Sequence, residues 1–498
     1  MNPQILKDLS LFYPEITLAL ALLAVIVVDL AMPAKERKTT FLVACLGLLL
    51  ALAFTIPLFK VPQTTLFYSM VTVDPMSVFF KAFLILTSFL VLLAAPGSKE
   101  LSKEHIGEFY ALLLGVTLGM VLLASAVDTL MLFLSLEMVS LTSYIMVGYL
   151  SSERQSNEAS LKYLLFGAVS TGAMLYGLTL LFGLTGTTKL SVIRDMLFHG
   201  AGAGNNSLTL FVLTVLVLAG FGFKTASVPF HFWCPDVYTG APTPVTAFLS
   251  VAPKAAGFAT LIRFFFTGFS TLSATSQWSA VSTMNWALPI LMISLITMTL
   301  GNLAALRQDN LKRLLAYSSI AHAGYILMGT VVMTSQGLQA VLIYLITYLF
   351  MNLGAFLIVI EIYNRTGSFD LKVYRGFWKR SPFLTISMTV FMLSLMGIPP
   401  FAGFFGKLYV FGAAVNRDLA WYAVVGALNS VIAVFYYARV IKTMVMDPAD
   451  AGGDEGRIRL SWASSVLLWV MLIPTAGLML FWDRIQQLTL SSMKLFVQ

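Results

Sequence analysis

An all-α, polytopic membrane protein of about fourteen transmembrane helices is the fold this sequence predicts. Three observations carry that expectation. Hydrophobic residues make up 58% of the chain and charged residues only 11%, against roughly 25% charge in a soluble domain. Stretches such as Tyr13 to Met32, Leu208 to Phe223 and Trp462 to Phe481 are long and nearly free of charge, and crossing the hydrocarbon layer takes roughly 20 apolar residues. The basic residues, finally, gather in alternate connections.

In chain order, helices are expected near residues 13–32, 39–59, 73–95, 107–125, 128–150, 157–184, 207–232, 243–267, 285–306, 312–334, 338–363, 381–415, 419–446 and 461–482. The first apolar segment is longer than a signal core of about 7–15 residues and has no basic stretch before it, so no cleavable leader is expected. The connections are short, and none reads as a separate soluble domain. Two helices contain proline breaks, at Pro229 in the seventh and at Pro399 and Pro400 in the twelfth. Connections after odd-numbered helices, with the adjoining helix ends, hold eighteen of the 31 lysines and arginines, whereas the opposite side holds eight. The positive-inside rule then places the odd connections in the cytoplasm and both termini outside. The same excess explains the net charge of +8 without a nucleic-acid partner.

An internal repeat is visible. Ala219 to Lys224 (AGFGFK) parallels Ala402 to Lys407 (AGFFGK), 183 positions on. Tyr144 to Gly148 parallels Tyr325 to Gly329, and Leu161 to Leu164 parallels Leu342 to Leu345, both 181 positions on. The offset spans five helices, an odd number, so the copies are expected upside down relative to each other, as in transporters with sites near the bilayer midplane. The expected division is residues 1–106 as three N-terminal helices, 107–268 as a first five-helix repeat, 284–446 as its inverted copy, and 460–498 as a C-terminal helix.

Five lysines, Lys81, Lys162, Lys224, Lys254 and Lys407, fall inside predicted helices. A charged group at a membrane helix centre costs about 2.5–3.5 kcal/mol on insertion scales, and such groups persist when paired, hydrated or used. Glu137 sits mid-helix with no basic residue within a turn, so a partner must come from another helix. Lys224 precedes Pro229 by five residues, and Lys407 follows the Gly397-Ile398-Pro399-Pro400 interruption. Proline frees backbone carbonyls, tolerated at membrane depth only where protein or a water-filled cavity meets them. A lysine beside such a break reads as part of a hydrated path, or more blandly as a cap on freed carbonyls. Lys254, directly after Pro253, is too deep to reach an interface. Lys162 follows Glu158 by four residues, a pair that stabilises a helix by itself, and a role in proton uptake stands beside that reading. His231 lies two turns after Lys224, and His322 lies inside the tenth helix, placed to bridge the two repeats. Lys81 and Arg439 are expected to serve packing or lipid contact. Together these groups read as a relay of titrating bases: burial disfavours an ammonium and a neighbouring carboxylate favours it, so moving Glu137 relative to Lys224 would switch proton affinity. Sodium, which wants several oxygen ligands, suits a lysine-lined path poorly.

Two cysteines and four scattered histidines supply no disulfide framework, metal site or iron–sulfur ligand set, and no Gly-rich dinucleotide fingerprint follows a strand. The run Gly222-Phe223-Lys224-Thr225-Ala226-Ser227-Val228-Pro229-Phe230-His231-Phe232-Trp233, continued by Pro235 to Val245, resembles the signature of the antiporter-like membrane subunits of NADH-quinone oxidoreductase (complex I). Ala252 to Phe258, Leu311 to His322 and Gly397 to Phe404 are similar to the subunit N family in particular. The resemblance covers most of the chain. It implies proton translocation coupled to electron transfer from NADH to quinone. The implied channel residues are Glu137, Lys162, Lys224, Lys254, His322 and Lys407, with His231 and Glu158 accessory. It implies no cofactor or metal in this chain, with FMN, iron–sulfur clusters and quinone in other subunits, and neighbouring antiporter-like subunits as partners. It further implies the inner membrane of a bacterium. Two other readings stand beside it: a subunit of a multisubunit sodium/proton antiporter, and a non-transporting membrane scaffold.

Overall fold

The computed structural model describes residues 3–32, 38–101, 105–199, 207–272, 277–280, 285–448, 458 and 460–494. The expected boundary at 284 and the chain end at 498 lie outside them. The chain opens with α1 (Pro3–Ser10), α2 (Tyr13–Ala31) and α3 (Lys38–Thr55), then a hairpin of β1 (Thr64–Leu66) and β2 (Val71–Val73), then α4 (Pro75–Ala94). Next come α5 (Ile106–Ser125), α6 (Thr129–Val147), α7 (Arg154–Thr185), α8 (Leu190–His199), α9 (Ser207–Thr225), α10 (Trp233–Gly240) and α11 (Thr243–Gly268). A second hairpin, β3 (Ser270–Leu272) and β4 (Trp278–Ala280), leads to α12 (Ala287–Ala305), α13 (Leu311–Val331) and α14 (Ser335–Thr366). The rest is α15 (Phe377–Arg380), α16 (Pro382–Met396), α17 (Ala402–Val415), α18 (Ala420–Val445), α19 (Trp462–Gly477) and α20 (Trp482–Ser492).

Thirteen described helical segments are long and apolar enough to span a membrane, and α16 with α17 forms a fourteenth crossing in two shorter pieces. The protein is therefore an all-α, multi-pass membrane protein. Short polar side chains start the helices where the apolar runs begin. Asp74 accepts from the Ser77 amide at 2.7 Å while Ser77 Oγ accepts from the Asp74 amide at 3.0 Å, closing a reciprocal cap at the start of α4. Asp128, Asn310, Thr334 and Ser461 cap α6, α13, α14 and α19.

One device recurs. Asp128 caps α6 and bridges Lys189 beyond α7, a 32-residue helix closed by Gly186 in the left-handed region. Asn310, 182 positions on, caps α13 and bridges Asp370 beyond α14, also 32 residues and closed by left-handed Gly367, 181 positions after Gly186.

The seventh crossing departs from its expected extent of 207–232. Helix α9 stops at Thr225, and after a turn containing Pro229 the chain resumes as α10. Pro229 offers no amide, and Ala226 adopts a positive φ of 56°, so the helical ladder cannot run through. The last crossing extends past 482, to Ser492 through α20. Burial divides the bundle into inner and outer helices. The apolar window of α11 is 100% buried, that of α13 94% and that of α14 83%, whereas α2 reaches 28% and α18 33%. Helices α11, α13 and α14 thus form a central pillar sheltered by the rest.

Candidate functional site

The pillar, with α9 and α17 beside it, carries the costly residues. Lys224, Lys254, His322 and Lys407 are all buried, at 2%, 4%, 2% and 5% exposure. None faces the lipid side of the bundle.

Lys224 occupies the last turn of α9. Carbonyls freed there are met by other donors: Trp233 Nε1 donates to Phe223 at 3.1 Å, the Ser227 amide to Gly222 at 2.8 Å, and Thr225 Oγ1 to Phe221 at 2.9 Å. Lys224 is therefore not the cap of its helix. Its Nζ has no hydrogen-bond partner among the described residues and lies 5.7 Å from the Phe223 ring centre. A Cβ on Gly257 of α11 would stand 3.1 Å from Lys224 Cβ, so the missing side chain lets α9 approach α11 one turn from Lys254. Glu137, on α6, is half-buried. Its Oε1 has no hydrogen-bond partner among the described residues, yet Glu137 is the carboxylate whose charge acts on Lys224. The two stand apart, within electrostatic reach.

Lys254 lies within α11, which continues through Pro253. Its Nζ donates to Ser319 Oγ of α13, and Tyr238 OH is 3.5 Å from the same oxygen. One turn along α13, His322 bonds Tyr344 OH through Nδ1 at 2.7 Å and Tyr437 OH through Nε2 at 3.1 Å. Tyr437 OH is also 2.5 Å from Ser318 Oγ. The His322 ring centre lies 6.0 Å from that of Tyr325, and Lys407 Nζ sits 5.0 Å from the same Tyr325 ring centre. Lys254 and Lys407 both act electrostatically on His322. Lys407 does cap its break, donating to the Met396 carbonyl at the end of α16 at 2.7 Å.

Lys162 sits differently. It is 38% exposed and bonded to Glu158 at 2.8 Å and Asp236 at 2.7 Å, and Asp236 in turn holds Arg313 at 2.8 Å. Burial pushes the Asp236 carboxyl up, but hydrogen bonds from Lys162 and Arg313 outweigh it and hold the group below the usual carboxylate range. His231, in the turn between α9 and α10, is buried with an unpartnered Nδ1 among the described residues, its ring 4.5 Å from that of Phe232.

Three further basic residues are fully buried. Lys81, expected in packing or lipid contact, takes the first: its side chain is 0% exposed and pairs with Glu15 at 2.6 Å. Arg263, counted with the interfacial cations, is 0% exposed and grips Asp74 with two bonds of 2.7 and 2.9 Å. Lys312, likewise counted with the connections, is 0% exposed beneath the α10–α11 junction. Each lies near a helix end in sequence while a neighbouring helix covers it. Sequence reasoning also missed Ser319, Tyr238, Tyr344 and Tyr437, the hydroxyls gathered about Lys254 and His322. The available signal was Ser319 standing three residues before His322, on one helical face.

Comparison with known proteins gives consistent matches. The family described as NADH:quinone oxidoreductase/Mrp antiporter, TM, matches residues 126–433. NADH-quinone oxidoreductase subunit N 2 of Chloroherpeton thalassium is 41% identical over 98% of this chain and 94% of its own length. Subunit N of an Anaeromyxobacter species is 42% identical over 99% and 98%. A chain of respiratory complex I from Thermus thermophilus superposes with a TM-score of 0.72 at 31% identity, covering 93% of this chain and 97% of that one.

Proposed function

The chain belongs to the NADH-quinone oxidoreductase subunit N family, and from that premise we propose that its buried lysines and histidine carry protons through the bilayer while NADH reduces quinone. It is a proton-translocating membrane subunit of that enzyme complex, and other membrane subunits are its partners. The carriers are Lys224, Lys254, His322 and Lys407. Glu137 acts as the charge that sets the proton affinity of Lys224. Lys162 with Glu158 forms the ion network at one margin, and His231 is accessory. Pro229, Pro399 and Pro400 open the helices so that water reaches the lysines. FMN, iron–sulfur clusters and quinone belong to other subunits. The two five-helix units, 107–268 and 284–446, are the halves this path joins, and the recurrence, 181 to 182 positions on, of a capped helix followed by a 32-residue helix closed by glycine supports that division. The setting is a bacterial inner membrane with both termini outside.

The observation that carries this reading is a pair of hydrogen-bonded groups one turn apart on α13, Lys254 with Ser319 and His322 with its two tyrosines. Hydroxyls and imidazoles accept one proton and donate another, so they join ammonium groups without adding fixed charge. The test is Lys254→Met in the assembled complex in vesicles. NADH-driven proton uptake should collapse while the complex still assembles; native pumping by this variant would sink the relay. Sodium-dependent transport in the same vesicles would favour the antiporter alternative instead.

A further inference from the structure

The relay accounts for Lys254 and its neighbours and leaves Lys312 without a part. Lys312 opens α13, and its side chain is 0% exposed. Its Nζ donates to the Ala241 carbonyl at 2.6 Å and sits 4.4 Å from the Phe369 ring centre. Glu100, 6% exposed, places Oε1 3.9 Å from that Nζ. The other oxygen, Oε2, accepts from the Thr243 amide at 2.8 Å, on the first turn of α11. Lysine and glutamate thus grip the two sides of one junction, Ala241 to Thr243, and stand apart from each other. At 3.9 Å the pair is far looser than the 2.6 Å pair of Lys81 with Glu15 or the 2.7 Å pair of Arg263 with Asp74.

Position gives the pair a role. Seven residues separate Lys312 from Ser319, two turns along one face of α13, or about 10.5 Å of rise. Tyr238 lies three residues before Ala241, whose carbonyl Lys312 holds, and its phenol stands 3.5 Å from Ser319 Oγ. Ser319 accepts from Lys254. The charged pair thus holds the junction that closes the helix carrying Tyr238, and Tyr238 and Lys254 meet at the same serine hydroxyl. The helix ends in question, those of α10, α11 and α13, share the side that the basic-residue count assigns to the cytoplasm.

We propose that Lys312 and Glu100 form the proton-uptake gate of this relay, passing protons from the aqueous side at the α10–α11 junction to Lys254 by way of Tyr238 and Ser319. The proposal rests on the relay reading given above. In the uptake step a proton from water binds the Glu100 carboxylate and the ion pair opens. One N–H bond of the Lys312 ammonium breaks. Its proton passes along the hydroxyls, each accepting one and donating one, and a new N–H bond forms on the Lys254 amine. The neutral Lys312 amine then takes the carboxyl proton, and both charges return. One proton goes in, one goes on, and no electron moves.

The decisive variants are made in the whole complex in sealed vesicles, with NADH-driven proton uptake as the readout. Lys312→Arg keeps a cation for the Ala241 carbonyl and the Phe369 ring, but a guanidinium does not release its proton in proteins. A clamp survives this change and a carrier does not. Pumping should fall about a hundredfold, the lower side of what a positioned acid–base group contributes. Glu100→Gln keeps an acceptor for the Thr243 amide and removes the proton site, and it should fall comparably. Native pumping in either variant overturns the gate. Should the bulk of arginine block assembly, the near-isosteric Glu100→Gln decides alone. Lys254→Met separates the two levels: if it is inactive while Lys312→Arg and Glu100→Gln pump normally, only the gate fails, whereas a normal Lys254→Met removes the relay itself.

Discussion

Lys224 and Lys407 occupy matching places in the repeated sequence and opposite situations in space. Lys407 Nζ satisfies the Met396 carbonyl, whereas Lys224 Nζ bonds nothing among the described residues. Replacing Lys407 by methionine leaves a buried acceptor orphaned, which costs about 1–3 kcal/mol. Lys407→Met should therefore lower both the Tm of the purified complex and its proton pumping. Lys224→Met should lose pumping with unchanged or higher Tm, because a buried cation without a partner weakens a fold. Equal destabilisation by the two variants would contradict these assignments. The Asp236 network makes a pH prediction. Its folded value lies below the 3.8 of a free aspartate, so its contribution to stability is fully present above that pH and is lost only as pH falls through the lower folded value. Infrared titration of the assembled protein between pH 5 and 8 should show no Asp236-dependent change when compared with Asp236→Asn. The charged members of the site were legible in the sequence because a lone lysine or glutamate in an apolar run is conspicuous. Ser319, Tyr344 and Tyr437 were not, since hydroxyls are common in membrane helices and only the register between helices reveals their partners. Lys312 and Arg263 misled for a related reason: closeness to a helix end in sequence says nothing about what another helix lays over it.

The elements that matter most are the two broken helices, and their breaks are built from different materials. Helix α16 ends at Gly397, whose φ of +85° is a left-handed conformation that costs other residues roughly 1–2 kcal/mol. A Cβ there would also stand 2.8 Å from Lys407 Cδ. Gly397→Ala should thus displace the Lys407 chain from the Met396 carbonyl as well as strain the turn. The expected result is a Tm loss with a pumping defect approaching that of Lys407→Met; pumping at native rate would show that the position of Lys407 is not critical. The break after α9 instead relies on Pro229 and on the side chains of Trp233 and Thr225 to meet the exposed carbonyls. Prolines made both breaks visible in advance. The extent of the first did not follow, because its downstream half, α10, is eight residues of mixed character that read as a connection.

At the scale of the whole molecule, buried ion pairs fasten the N-terminal helices to the functional bundle. Arg263 is anchored in α11, nine residues beyond Lys254, and reaches across to Asp74 at the head of α4, while its Nε donates to the Ala124 carbonyl at the end of α5 at 3.1 Å. Three elements meet at one guanidinium, and one of them is the helix that carries the central lysine. Removing one partner of such a pair leaves an uncompensated charge in a dry interior, at a cost of about 3–5 kcal/mol. Exchanging both partners for apolar side chains of similar volume is commonly close to neutral. Arg263→Met should therefore destabilise the subunit severely, and the double variant Arg263→Met, Asp74→Leu should recover part of the loss. Asp74 has a second duty as the cap of α4, worth about 1 kcal/mol, so recovery should stop short of native stability by roughly that amount. Thermal unfolding of the purified complexes measures both quantities. If the double variant is no more stable than Arg263→Met, the guanidinium's bond to Ala124, not its pairing with Asp74, holds α11 in place.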